Sequence, residues 1–254
     1  MNVDFKTMLG SGKRLIGSFL QLPSLEVAEI FSNAGFDFLI IDNEHSVMDV
    51  PFSQNMMRAI IAAGGVPLIR TPDCEETTIK KTMDTGVPGI VLPGISGAAM
   101  LRETMRHTKY APMGTRGACP CVRANRYGEG DNSYYARANR DTAVLIQVEG
   151  RGAYEEIDDI LVADGLDGIL MGPVDLSMSL GVPGEMDHPI VEKALREILE
   201  KAKKRRVATG IFCMDTAAVE KWFGLGVDFI LYGIDSMVIR ETAYNTAQSL
   251  RRFA

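Results

Sequence analysis

Short runs of Ile, Val, Leu and Phe recur along the chain, each bounded by Gly, Pro or Asp, and between them lie longer stretches with apolar residues three and four apart. Such runs predict strands buried on both faces, and the 3.6-residue spacing predicts helices packed over them. Eight strands are expected: Leu15 to Leu20, Asp37 to Asp42, Pro67 to Arg70, Gly89 to Pro93, Ala143 to Glu149, Asp167 to Gly172, Val207 to Phe212 and Asp228 to Tyr232. Helices are expected over Ser24 to Ala34, Thr77 to Thr85, Ile190 to Lys204 and Thr216 to Leu225, among other segments.

Three of the turns into a strand share a Gly-x-Asp signature, Gly35-Phe36-Asp37, Gly165-Leu166-Asp167 and Gly226-Val227-Asp228, with Gly86-Val87-Pro88 as a variant. Gly closes the preceding helix and the chain re-enters the sheet. A repeated βα module favours a closed (β/α)8 (TIM) barrel over an open doubly wound sheet. The 254 residues match the roughly 250 of one such barrel, so a single α/β domain over the whole chain, residues 1–254, is expected.

Composition narrows the function classes. With 46% hydrophobic residues, 24% charged residues and a formal charge of −6, the chain offers no long-range attraction to nucleic acid or to an anionic membrane. No apolar run approaches the roughly 20 residues of a membrane span, and no signal peptide is evident, which makes the cytoplasm the expected location. Cys74, Cys119, Cys121 and Cys213 lack the paired spacing of a zinc site and read as reduced thiols.

Barrel active sites are built where the strands end, so the polar residues there are the candidates. Strand two ends in Asp42-Asn43-Glu44-His45, strand three in Arg70, strand five in Gln147-Val148-Glu149 and strand six in Gly172-Pro173-Val174-Asp175. Glu149 and Asp175 end neighbouring strands, and two carboxylates suit a divalent cation such as Mg2+ or Mn2+ with positions left for substrate; each acid can equally bond a loop or pair an arginine. Arg70 suits a carboxylate or a developing oxyanion, with an ion pair to Glu44 or Asp84 as the alternative. Asp42 stands three residues before His45 and is placed to orient its ring for acid/base work. The stretch from Ala111 to Asp141 breaks the βα rhythm and carries Arg116, Arg123, Arg126, Arg137 and Arg140 with Tyr127, Tyr134 and Tyr135. A loop this long is expected to cover the mouth, to supply arginines to an acidic substrate or to make a subunit contact.

Six fragments in order, Ala34-Gly35-Phe36-Asp37, Ile41-Asp42-Asn43-Glu44-His45, Pro67-Leu68-Ile69-Arg70, Tyr110-Ala111-Pro112-Met113-Gly114-Thr115-Arg116-Gly117, Gln147-Val148-Glu149 and Gly172-Pro173-Val174-Asp175-Leu176-Ser177, make the chain resemble the HpcH/HpaI family of class II pyruvate aldolases. The resemblance implies a divalent metal (Mg2+, Mn2+ or Co2+) on Glu149 and Asp175, Arg70 on the pyruvate keto or enolate oxygen, and His45 with Asp42 as the base. It also implies a pyruvate carboxylate on backbone amides near Gly172, Pro173, Val174 and Asp175. Phe19 and Phe212 are expected to line the pocket, and Glu44, Asp84 and Arg123 are candidates for support. A homo-oligomer, a hexamer built from dimers that exchange their C-terminal helices, is implied as well. Asn43, Ser46, Gly150, Phe19 and Val174 depart from common family residues, which places acceptor preference, not metal or pyruvate handling, in question.

The reaction implied is reversible cleavage of a 4-hydroxy-2-oxo acid to pyruvate and an aldehyde. A Schiff-base aldolase needs a lysine on a strand, and all ten lysines fall elsewhere. A phosphate-binding barrel is disfavoured by Asp215 and Asp235 after strands seven and eight. A lyase acting on another 2-oxo acid or an acyl-CoA, and a non-catalytic barrel binding a small acid, stay open.

Overall fold

The computed structural model describes residues 5–253. Eight parallel strands close in sequence order into a barrel: β1 (Leu15–Leu20), β2 (Phe38–Asp42), β3 (Pro67–Arg70), β4 (Gly89–Leu92), β5 (Ala143–Val148), β6 (Gly168–Met171), β7 (Ala208–Cys213) and β8 (Phe229–Ile234). The helices are α1 (Phe5–Leu9), α2 (Leu25–Asn33), α3 (Val50–Ala62), α4 (Glu76–Asp84), α5 (Ala98–Thr108), α6 (Tyr134–Asp141), α7 (Arg151–Glu155), α8 (Ile157–Ile160), α9 (Pro173–Ser179), α10 (Pro189–Arg205), α11 (Thr216–Leu225) and α12 (Asp235–Leu250). The expected (β/α)8 barrel is therefore present, with strand boundaries shifted by one or two residues. Among the described residues no helix is long and apolar enough to cross a membrane.

The shifts at three strand starts have a common cause. Asp37, Asp167 and Asp228, expected as first strand residues, turn their carboxylates onto the preceding strand and accept from Ile16 N at 2.8 Å, Val144 N at 2.8 Å and Thr209 N at 2.7 Å. The glycines two residues earlier have φ of 97°, 82° and 88°, a left-handed turn that other residues enter only at a cost. The Gly-x-Asp signature is thus a clamp: Gly reverses the chain and Asp ties each new strand to its neighbour.

Alternate strand residues point into the barrel. The interior is filled by Phe38, Ile40, Leu68, Val91, Leu145, Leu170, Phe229 and Leu231, all buried. Each such side chain contributes about 1.5–3 kcal/mol by leaving water. Phe5 of α1 packs on Phe38 with ring centroids 5.1 Å apart and closes the N-terminal end. The same inward columns continue upward into Asp42 above Ile40, Arg70 above Leu68, and Gln147 then Glu149 above Leu145, so the interior that begins apolar ends polar.

Space at the lower layer is made by glycine. A Cβ on Gly17 would lie 2.5 Å from the Phe38 ring, and one on Gly210 would overlap the Phe229 ring. Both rings are fully buried and have no room to retreat. The Gly210→Ala substitution is therefore expected to cost about 1–3 kcal/mol by overpacking, read as a lowered urea midpoint with an unchanged m-value.

Candidate functional site

The centre of the mouth is a buried ion pair. Asp42 and Arg70 are adjacent partners in the β2–β3 register, and the fork of Arg70 grips the carboxylate with Nε donating to Oδ1 at 2.8 Å and Nη2 to Oδ2 at 2.6 Å. Asp42 is fully buried and Arg70 is 6% exposed. The Arg70 guanidinium lies over the Phe19 ring, 4.4 Å from its centroid, and Phe19 in turn meets Phe212 at 6.1 Å. Planar charge on an aromatic face with bidentate donors to the side is an arrangement that lysine cannot reproduce.

The remaining donors and acceptors extend the pair into a network. Arg70 Nη1 donates to Gln147 Oε1 at 2.8 Å and lies 2.9 Å from Glu44 Oε2. The Gln147 amide donates onward to Glu149 Oε2, whose other oxygen accepts from Gly94 N at 2.8 Å. On the far side Gln21 Nε2 donates to Asp42 Oδ2 at 2.7 Å. Burial acts to raise the Asp42 pKa, but the hydrogen bonds and charge of Arg70, helped by Gln21 and the His45 amide, outweigh it and hold the carboxyl below its ordinary value.

The His45–Asp42 dyad expected from their spacing is not formed. Both Asp42 oxygens are committed to Arg70, and Oδ1 further accepts from the backbone amides of Glu44 at 3.0 Å and His45 at 3.3 Å. Asp42 therefore shapes the loop that carries His45 without touching its ring. The exposed ring has Glu44 as its carboxylate neighbour, Nε2 to Oε2 at 3.9 Å. Burial raises the pKa of Glu44, opposed by Arg70 and reinforced by the charge of Glu149, and its buried Oε2 lacks a well-directed hydrogen bond.

Asp84 and Arg123 are not brought to the mouth. Asp84 ends α4 and pairs with Arg116 Nη2 at 2.7 Å, while Arg123 Nη1 donates to the Thr85 carbonyl at 2.6 Å. Both lie beside the turn that enters β4, at the opposite end of the barrel, because α4 carries the chain from the mouth back to the N-terminal ends of the strands. The arginine-rich segment stands there too, so it does not cover this chain's mouth.

Glu149 and Asp175 are the available carboxylates for a cation on the β5–β6 side. Glu149 leans over Gly172, where a Cβ would come within 3.0 Å of its own Cβ and 3.4 Å of Oε2. Gly172 caps α9, and Asp175 is exposed in that helix's first turn. Two hard oxygen donors at a backbone cleared of side chain fit Mg2+ or Mn2+ better than a soft-metal site, and among the described residues no third His, Cys, Asp or Glu joins them as a ready cluster. Pro173 is buried and Val174 is 38% exposed at the rim.

Three contributors carry roles that the strand-end reading does not assign. Gln147, named at the end of strand five without a role, is the amide bridge between Arg70 and Glu149, and the inward parity it shares with Glu149 is the signal for it. Gln21, one residue past β1, is not among the strand-end candidates and bonds Asp42. Asp235 was read only as negative charge; it is fully buried and accepts from Gln21 N at 3.0 Å and Leu22 N at 2.9 Å, pinning the loop that supplies Gln21.

A closed barrel with an acid–guanidinium network and a histidine at its C-terminal mouth has the build of a barrel enzyme, whose active site stands on that face. The family model described as HpcH/HpaI aldolase/citrate lyase matches residues 15–242. The chain is 36% identical over 235 residues to the 2-keto-3-deoxy-L-rhamnonate aldolase of Klebsiella pneumoniae, covering 92% of this chain and 88% of that one. An HpcH/HpaI aldolase/citrate lyase family protein from Burkholderia cenocepacia superposes with a TM-score of 0.93 at 33% identity, covering 97% and 98% of the two chains. The HpcH/HpaI aldolase from Desulfitobacterium hafniense gives 0.90 at 27% identity, covering 98% and 96%. The chain belongs to the HpcH/HpaI aldolase/citrate lyase family and is a class II aldolase within it.

Breaking the central pair should leave a buried guanidinium half-compensated. Asp42→Asn is expected to cost on the order of 3 kcal/mol at neutral pH. Because the native Asp42 pKa is lowered, its contribution is complete above the ordinary carboxylate value of about 4 and is lost as pH falls through the lowered native value. The stability gap between wild type and Asp42→Asn, measured by denaturant unfolding, should therefore close in strong acid.

Proposed function

We propose that the protein reversibly cleaves a 4-hydroxy-2-oxo acid of the 2-keto-3-deoxy sugar-acid kind to pyruvate and an aldehyde, with a divalent cation held by Glu149 and Asp175. The observation that carries this reading is the unbroken chain of contacts from Asp42 through Arg70 and Gln147 to Glu149. It sets a fixed positive charge beside the carboxylate that would hold the cation, where the oxygen of a nascent enolate must be stabilised. The similarity to sugar-acid aldolases supports the substrate class.

When bound, the cation supplies a Lewis acid for the 2-oxo acid's oxygens. The protein's own groups then divide the work. Backbone amides at the start of α9, near Val174 and Asp175, receive the substrate carboxylate. Arg70 donates to the keto oxygen and meets the negative charge that develops there as the C3–C4 bond breaks. His45, carried on the loop that Asp42 shapes and backed by Glu44 in place of Asp42, takes the C4 hydroxyl proton. General-base assistance of this kind contributes roughly 10²–10⁴-fold. Phe19 and Phe212 exclude water beneath Arg70, and Val174 at the rim meets the aldehyde portion. Assembly into a homo-oligomer through the C-terminal helix belongs to the same reading, supported by the exposure of Ile239, Tyr244 and Leu250 along α12.

The test is pyruvate release from a panel of 4-hydroxy-2-oxo acids, with and without chelator and with Mg2+, Mn2+ or Co2+ restored. Chelator-sensitive release is expected, and Glu149→Gln should weaken metal binding and abolish most turnover while leaving the fold intact. A barrel that merely binds small acids would keep its ligand in Glu149→Gln and release no pyruvate from any member of the panel. Arg70→Lys should lower kcat by at least about 10²-fold, since one point charge replaces a fork already committed on two sides.

A further inference from the structure

Around the mouth, the carboxylates for the cation follow β5 and β6, while Arg70 ends β3 and His45 follows β2. The remaining arc, where β7, β8 and β1 end, takes its shape from a bulge. The register of β8 with β1 pairs Leu231 with Gly17 but Ile234 with Phe19, so three steps on one strand match two on the other, and Gly233 turns through a φ of 60° within the longer stretch. A bulge re-aims the side chains that follow it. Here half-buried Ile234 packs onto the interior cluster that also holds Phe19 and Phe212, and Asp235 comes next, against the loop after β1. The buried Asp235 carboxylate accepts from Gln21 N at 3.0 Å, Leu22 N at 2.9 Å and Ser236 N at 2.7 Å. The backbone of Gln21 is thereby fixed.

Gln21 continues the inward column of β1 above Phe19, and its side chain reaches Asp42, Nε2 donating to Oδ2 at 2.7 Å. A carboxylate only accepts. The nitrogen of the amide must therefore face Asp42, and its oxygen must face away. Among the described residues no group donates to that oxygen, and it is not sealed from solvent. The arc thus presents one hydrogen-bond acceptor, held in one orientation, in company with the apolar side chains of Phe19, Phe212 and Ile234. In a pocket walled by apolar groups, a single placed polar atom fixes orientation and specificity. An acceptor selects a ligand that brings a donor, which on the carbon chain of a sugar acid is a hydroxyl.

In the cleavage reaction proposed above, on which this inference rests, the pyruvate end belongs to the β5–β6 side and to Arg70, and the C4 hydroxyl belongs to His45. The substituent on C4 is then left the arc from Val174 past Phe212 to Gln21. We propose that Gln21 determines specificity for the aldehyde portion: its Oε1 accepts a hydrogen bond from a hydroxyl on the carbon next to the aldehyde carbonyl. The protein therefore prefers α-hydroxy aldehydes to alkyl aldehydes of equal size. The same amide supports Asp42 with its nitrogen and reads the substrate with its oxygen, which ties selectivity to the central ion pair.

The test runs the full chain in the addition direction, with saturating pyruvate and Mn2+, and measures kcat/KM for glycolaldehyde and propionaldehyde. These two differ only in a hydroxyl exchanged for a methyl group. Wild type should favour glycolaldehyde, and Gln21→Met should reduce the glycolaldehyde-to-propionaldehyde ratio about tenfold, as expected for one hydrogen bond at a half-open site. Met keeps the length of the side chain, and Gln21 is half-buried past the end of β1, so the core is not disturbed. Losing the bond to Asp42 slows both aldehydes alike and cancels in the ratio. An unchanged ratio in Gln21→Met, or a wild type that uses propionaldehyde as readily as glycolaldehyde, overturns the proposal and leaves the reaction standing. A wild type that consumes pyruvate with neither these nor any other aldehyde overturns the reaction, and the proposal with it.

Discussion

The Asp42–Arg70 pair is the constraint on which the mouth of this barrel depends. Two opposite charges removed from water cost several kcal/mol each, and they persist only when nearly every donor and acceptor is met. Here the debt is met on all sides, by bidentate geometry, by Gln21 and Gln147, by two backbone amides and by the face of Phe19. The same carboxylate that fixes the guanidinium also folds the loop after β2, so the positions of Glu44 and His45 follow from the pair. Orientation at the far end follows too, because Gln147 can bridge Arg70 and Glu149 in one amide orientation only, oxygen toward the cation and nitrogen toward the carboxylate.

Much of this was legible in the sequence because period and chain ends are local properties. Apolar runs between helical stretches located all eight strands, and the Gly-x-Asp turns marked where three of them begin, though the clamp made by each Asp shortened the strands that pattern suggested. Asking which polar residues end a strand brought Asp42, Glu44, Arg70 and Glu149 together and put Asp175 beside them. Side-chain direction was not legible. Asp42 and His45 have the spacing of a dyad, but a buried arginine on the next strand outcompetes an exposed imidazole for the carboxylate. Nor could spacing tell that the segment from Arg116 to Asp141 folds back on the N-terminal end, carrying Arg123 away from the mouth and leaving Asp84 paired with Arg116.

The departures from common family residues separate by position. Asn43 is buried and accepts from Ser53 Oγ at 2.6 Å, and the Ser46 hydroxyl donates to the Asp42 carbonyl, so both brace the loop from behind. Phe19, by contrast, lies under the Arg70 guanidinium, and Val174 is exposed at the rim. The loop residues thus brace the geometry around Arg70, and under the proposed reaction Phe19 and Val174 are the two placed to alter which aldehyde is accepted.

A crystal structure with Mn2+ and oxalate, which mimics the planar enolate of pyruvate, tests the central claim most directly. The account predicts the ion between Glu149 and Asp175, an oxalate oxygen within hydrogen-bond distance of Arg70, and the Asp42–Arg70 pair intact beneath them. An ion bound elsewhere, or Asp42 released from Arg70 to grip the His45 ring, would contradict it.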